Sequence, residues 1–200
     1  MRKWLSLCLC GLSVSGCGLA GVETDVPVPT AKAQPLGGQP KQNESPRTTL
    51  EPTERLIGGV KFEVPAGWEE KSLSSSMILG EYSLPGEAGN ARLTLSTAGG
   101  GTAANLERWR GQFQPGPNDP PASETTVTAA GKEVTLLDVH GTFNDSFGGG
   151  GPKPNWQLLG VAIPIDPDHN YFVKLTGPSE TVTARREEFL KFVSSARFEK

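Results

Sequence analysis

Between residue 60 and the C-terminus, apolar and polar side chains follow two periods. Val60-Lys61-Phe62-Glu63-Val64 alternates strictly, which predicts a half-buried strand, and Pro65-Ala66-Gly67-Trp68 closes it. Residues 77–84 form a second strand-like run ended by Pro85-Gly86. Residues 91–97 alternate again, with Ala91, Leu93 and Leu95 opposite Arg92, Thr94 and Ser96, until Gly99-Gly100-Gly101 breaks the pattern. The period then changes. Leu106, Trp109 and Phe113 recur at helical spacing, so a helix is expected over 103–113 with Thr102 as its N-cap. A proline-rich loop over 115–121 leads to further strands at 125–129, 132–143, 157–165 and 171–176. Ala130-Gly131 and residues 166–170 read as tight connections between antiparallel neighbours. A second helix is expected over 182–195, with Val182, Phe189, Val193 and Ala196 on its apolar face and Ser179 as its cap. Strands in clusters with segregated helices predict an α+β fold. Its centre is an antiparallel sheet of about six to seven strands with helices packed on it.

Residues 18–56 have neither period. They hold six prolines and no aromatic residue. Such a segment buries too little apolar surface to offset its ordering entropy, so it is expected to be a disordered, extended tether. Its 39 residues would span on the order of 35 Å as a flexible chain. The expected layout is therefore residues 1–16 as a signal peptide, 17–56 as a modified Cys17 with its linker, and 57–200 as one globular domain.

At the N-terminus, Arg2 and Lys3 precede a short apolar run over residues 4–14. That run is too short to span a bilayer, which takes roughly 20 apolar residues. A basic start before a short apolar run reads as a cleaved signal. Val14-Ser15-Gly16-Cys17 follows, and together these features resemble a bacterial lipoprotein signal with its lipobox. The resemblance implies that the Cys17 thiol receives a diacylglyceryl group and that its amine becomes the new N-terminus. Two or three acyl chains anchor stably where one alone is marginal. Gly18 stands where an Asp commonly marks inner-membrane retention, so the resemblance points to the outer membrane, facing the periplasm.

Cys8, Cys10 and Cys17 are the only cysteines. A domain over 57–200 thus has no disulfide and no cysteine metal site. The full chain carries 19 basic and 22 acidic side chains. Loss of Arg2 and Lys3 with the signal leaves 17 against 22, a formal charge of −5. That balance argues against nucleic-acid binding, which usually shows a basic domain.

Phe62-Glu63-Val64-Pro65-Ala66-Gly67-Trp68 resembles the opening strand and turn of PsbP-like domains, which form an α/β/α sandwich shared with a yeast nuclear-import factor that binds Ran. Residues 105–113 (NLERWRGQF) and 172–178 (FVKLTGP) are similar to a group of uncharacterised bacterial envelope proteins with the same layout. The resemblance covers about 58–200. It implies an accessory or binding role and brings no catalytic residues with it.

Candidate chemistry is sparse. Asp138 and His140 share one face of the strand over 132–143, where they can form a carboxylate–imidazole pair that orients a base. The plainer reading is a hydrogen-bonded polar patch, and no serine sits in a G-x-S-x-G setting. Asp166-Pro167-Asp168-His169-Asn170 collects oxygen ligands that calcium favours, but the same residues build a hairpin turn. Gly99-Gly100-Gly101-Thr102 leads into a helix N-terminus, where amides can hold an anion, or it is a plain strand-to-helix corner. Gly148-Gly149-Gly150-Gly151 and the residues up to Trp156 read as a mobile loop between strands that can present Trp156 as an exposed contact, or more plainly as a hairpin insertion. Trp68, Trp109 and Phe113 read as core. Lys174 shares a strand face with Phe172 and Thr176; if a helix covers that face, its ammonium needs a partner. The candidate ligand or partner contacts are therefore Asp138, His140, Lys174 and Trp156, with Cys17 for lipidation and no metal or cofactor expected. Taken together, these features predict a lipid-anchored, non-enzymatic envelope module that binds another envelope protein. The alternative is a small-molecule or ion-binding lipoprotein, and the remote one a hydrolase.

Overall fold

The computed structural model describes residues 51–144 and 150–199. The expected signal, Cys17 and most of the expected linker lie outside the described residues, as do Gly148 and Gly149 of the glycine run. In chain order the elements are β1 (Thr53–Ile57), β2 (Val60–Val64), β3 (Glu69–Glu70), β4 (Ile78–Leu84), β5 (Ala91–Gly99), α1 (Thr102–Arg110), β6 (Phe113–Gln114), β7 (Ser123–Ala129), β8 (Lys132–Phe143), β9 (Lys153–Pro164), β10 (His169–Pro178), α2 (Ser179–Ala184), α3 (Arg186–Ser194) and β11 (Arg197–Phe198). Every strand pairing is antiparallel. The large sheet has the order β3-β4-β5-β10-β9-β8-β6, with β7 also paired to β8, and β1-β2-β11 form a small second sheet. The α+β, antiparallel class expected from the pattern is the one observed.

Alternation along the strands gives the large sheet two buried faces. On one face Leu93, Leu95, Leu159, Val161, Tyr171 and Val173 pack against Phe62 of the small sheet and Phe189 and Phe192 of α3. On the other face Leu137, Val139, Leu158, Ala162 and Phe172 pack under Leu106, Trp109 and Phe113. The sheet is thus the middle of three layers. Among the described residues one nine-residue helix, α1, covers its second face, and part of that face is left to polar residues. Trp109 fits there because position 160 has no side chain. A Cβ on Gly160 would lie 2.5 Å from the indole. Gly160→Ala is expected to displace α1 and cost about 1–3 kcal/mol by overpacking. Urea unfolding measures this, and an unchanged midpoint would refute the close fit.

Strand pairing begins before the expected boundary at residue 57. β1 covers Thr53–Ile57 and pairs with β2 through a two-residue turn, Gly58-Gly59, with φ of +57° and +82°. Both values are costly for residues with a Cβ, and they match a type I′ hairpin turn. Four of the five β1 residues are exposed, so the strand has no apolar period to reveal it. The expected C-terminal helix is two helices. Arg185 interrupts it at φ −94°, ψ 3°, and its guanidinium donates to the Pro85 carbonyl at 2.8 and 3.1 Å. Neither expected cap acts as one. Thr102 is the first residue of α1 and gives its hydroxyl to Asn170 Oδ1 at 3.0 Å, while Gly101 takes the cap position. Likewise Ser179 begins α2 after Pro178.

Candidate functional site

The structure separates the four candidate contacts onto opposite faces of the large sheet. Asp138 and His140 point to the α2–α3 side. Lys174 and Trp156 point to the α1 side, because Lys174 pairs across β9 with Gly160, which lies beneath Trp109, and Trp156 packs with Phe143.

The expected Asp138–His140 pair exists, with His140 Nε2 3.2 Å from Asp138 Oδ1. Its surroundings assign it a structural task. Asp138 Oδ1 also accepts from Gln157 Nε2 at 2.8 Å, and Oδ2 accepts from the Arg186 guanidinium. Buried Gln157 in turn accepts the Thr183 hydroxyl at 2.9 Å. One carboxylate thereby ties β8, β9, α2 and α3 together. The one hydroxyl in this network is already donated to Gln157, so it is poorly placed to attack a substrate.

Residues 166–170 are a turn. Asp166 Oδ1 accepts from the Asp168 and His169 amides, both at 2.8 Å, and stands 3.0 Å from His169 Nδ1. Those contacts, the Asp168 amide foremost, hold the Asp166 carboxyl below its ordinary range. Among the described residues no group of three acidic, histidine or cysteine side chains is placed to hold a metal ion. The Gly99-Gly100-Gly101 corner is likewise committed: Gly100 O accepts Asn170 Nδ2 at 2.7 Å, and the buried Asn105 amide turns back to Gly101 O at 3.1 Å.

The α1 side is different. Trp156, expected in a loop, lies within β9. Pro154 and Asn155 stand where the pairing register with β8 shifts between Gly141 and Phe143, and Asn155 has φ +56°. A bulge of this kind accommodates proline inside a strand. Trp156 stacks on Phe143 with ring centroids 5.5 Å apart and planes within 5°. Lys153 Nζ lies 4.6 Å from the Trp156 centroid. Lys174, covered as its position required, donates to Gln112 Oε1 at 2.7 Å and lies 5.5 Å from the Phe143 ring centre. Together with Arg92, Thr94 and Thr176 these residues line a cavity of about 180 Å³. A second cavity of about 260 Å³ shares Thr94, Gln112 and Lys174 and continues past α1 toward Met77. The two form a groove along β5 and β10, flanking α1. Sequence reasoning missed Arg92, Gln112, Phe143 and Lys153. The polar side of β5 (Arg92, Thr94, Ser96) was the available signal.

Arg92 is held at the groove edge. Its Nε donates to Glu81 Oε1 at 2.7 Å and one terminal nitrogen to Ser74 Oγ at 2.7 Å. Burial pushes the Glu81 carboxyl up, but hydrogen bonds from Arg92 and Ser74 outweigh it and bring the pKa from 4.5 to about 2. A lowered carboxyl pKa contributes stability that is complete above its unfolded value and is lost as the pH falls toward the folded one. The contribution should therefore be full above pH 4.5 and fade toward pH 2. With Arg92 half exposed, it is expected to be about 1–2 kcal/mol. Glu81→Gln should be less stable than wild type at pH 7, with the gap narrowing at pH 3 in urea titrations. An equal gap at both pH values would contradict this account.

No family model matches the chain, and no curated protein does. Several solved structures are similar. LpqN, involved in cell envelope biogenesis of Mycobacterium tuberculosis, is 13% identical with a TM-score of 0.45, covering 70% of this chain and 83% of that one. PA94, a protein of unknown function from Pseudomonas aeruginosa, is 18% identical with a TM-score of 0.42, covering 72% and 95%. The solution structure of cyanobacterial PsbP (CyanoP) from Synechocystis sp. PCC 6803 is 11% identical with a TM-score of 0.50, covering 75% of this chain and 94% of that chain. At that identity the likeness speaks to architecture, and the chain has the PsbP-like α+β fold.

Proposed function

We propose that this chain is a lipid-anchored, non-enzymatic accessory module of the bacterial cell envelope that binds another envelope component in the groove flanking α1. Lipid on Cys17 holds it at the outer membrane, facing the periplasm. The observation that carries the binding role is the convergence of Lys174, Trp156, Lys153 and Arg92 on one concave stretch of sheet that α1 leaves open. The Asp138–His140 pair supports the same reading from the other face, since its carboxylate is spent on cross-links between sheet and helices. A photoreactive side chain at Thr94, inside the groove, tests this in intact cells against a control at Glu133, exposed at the start of β8. A discrete adduct from position 94 and none from 133 is the expected result. Equal labelling from both positions, or none from either, would overturn the groove as the binding surface.

A further inference from the structure

We propose that the groove binds a phosphate group, supplied either as a free phosphate compound or as a phospholipid headgroup. This rests on the reading of the groove as the binding surface and adds the chemistry of what enters it. Lys153 makes no ion pair with any described carboxylate, and its ammonium is held over the neutral Trp156 and Phe143 rings at 4.6 and 5.9 Å. Arg92 has its Nε and one terminal nitrogen committed to Glu81 and Ser74, so its planar fork is no longer whole. A flat carboxylate is best gripped by such a fork, whereas lysine acts on phosphate as a point charge. The neutral groups complete the case. The Thr94 and Thr176 hydroxyls line the cavity and make no hydrogen bond with any described residue. Hydroxyl donors around ammonium groups suit an acceptor with several oxygens spread in three dimensions. The described lining includes the cationic side chains of Lys153, Lys174 and Arg92, the last paired with Glu81, in a chain whose formal charge is −3. Size agrees as well. A cavity of about 180 Å³ equals roughly six waters' share of liquid volume, enough for a phosphate whose substituent leaves through the open side.

The test uses the full chain purified in neutral, phosphate-free detergent. Inorganic phosphate should raise the melting temperature saturably, while acetate and chloride at matched ionic strength should not. Lys153→Met is expected to weaken phosphate binding roughly tenfold, and Thr94→Val several-fold, the loss of a charge-assisted and of a neutral hydrogen bond respectively. Both variants should keep the wild-type circular dichroism. Equal shifts with acetate, or wild-type phosphate affinity in Lys153→Met, would overturn the proposal. Phosphatidylglycerol vesicles mixed with the Cys17→Ser form separate the two sources. Lys153-dependent flotation assigns the headgroup. Saturable phosphate binding without such flotation assigns a free phosphate compound, and the absence of both refutes a phosphate site. If the adduct from position 94 persists while phosphate fails, the binding surface stands and only its ligand chemistry falls.

Discussion

Phe192→Ala is expected to destabilise the folded domain by about 3–5 kcal/mol. Phe192 is fully buried at the point where three parts of the fold meet. Its ring stacks on Phe62 of β2 at 4.5 Å with planes 11° apart, and it lies 5.0 Å from Trp68. Trp68 in turn faces Tyr82 of the large sheet at 6.2 Å. Truncation would remove the aromatic stack and leave a cavity that rigid sheets on two sides cannot close. No covalent brace compensates, since all three cysteines lie at or before residue 17. Domains of this size are commonly stable by only about 5–15 kcal/mol, so the loss is a large share of the total. Urea unfolding followed by tryptophan fluorescence measures it, with Trp68 beside the substitution. Phe192→Leu, which retains most of the volume, should cost markedly less. A loss below about 1 kcal/mol for Phe192→Ala would mean that this junction does not hold the layers together.

The elements that buried one face were legible in the sequence. Alternation in Val60–Val64 and Lys132–Phe143, and helical spacing at Leu106 and Trp109, report burial directly, and these residues are core. The elements that bury nothing on either side were not. β1 is nearly all exposed and carries no period, although Gly58-Gly59 was a hairpin signal in plain view. The start of β9 was hidden by Pro152 and Pro154, because a bulge is a tertiary accommodation that local propensity does not announce. The relative placement of the candidate contacts was hidden for a related reason. Alternation ranks Asp138 with His140, and Lys174 with Thr176, within their own strands. Which of these pairs shares a face depends on the register between strands: Asp138 stands opposite Leu159, and Lys174 stands opposite Gly160, so the two pairs lie on opposite faces. The caps slipped by one residue, with Thr102 and Ser179 helical and no side chain capping either helix; the Thr102 hydroxyl is given to Asn170 instead.

Cys17→Ser should move the protein from the membrane fraction to the aqueous one without changing the fold of residues 51–199. The argument is one of additive burial. Each buried methylene contributes about 0.8 kcal/mol, so two or three acyl chains hold a protein of this size essentially permanently, and a hydroxyl in place of the thiol removes all of them at once. Nothing described elsewhere supplies a substitute: no helix among the described residues is long and apolar enough to cross a membrane. The exposed apolar side chains are few, with Leu56 on β1 and Leu73 and Met77 in the loop before β4, too little to retain the chain through washing with salt and carbonate. Fractionation with mass measurement of the N-terminal peptide reads both the location and the acyl chains. A Cys17→Ser protein that stayed in the membrane would remove the lipid anchor from the proposed function. The groove would survive that result, because its residues lie on β5, β8, β9 and β10 and at Gln112, all far along the chain from Cys17. If instead the protein is released, the lipid on Cys17 is what holds the chain at the membrane, and the groove remains to be tested by its own phosphate titration.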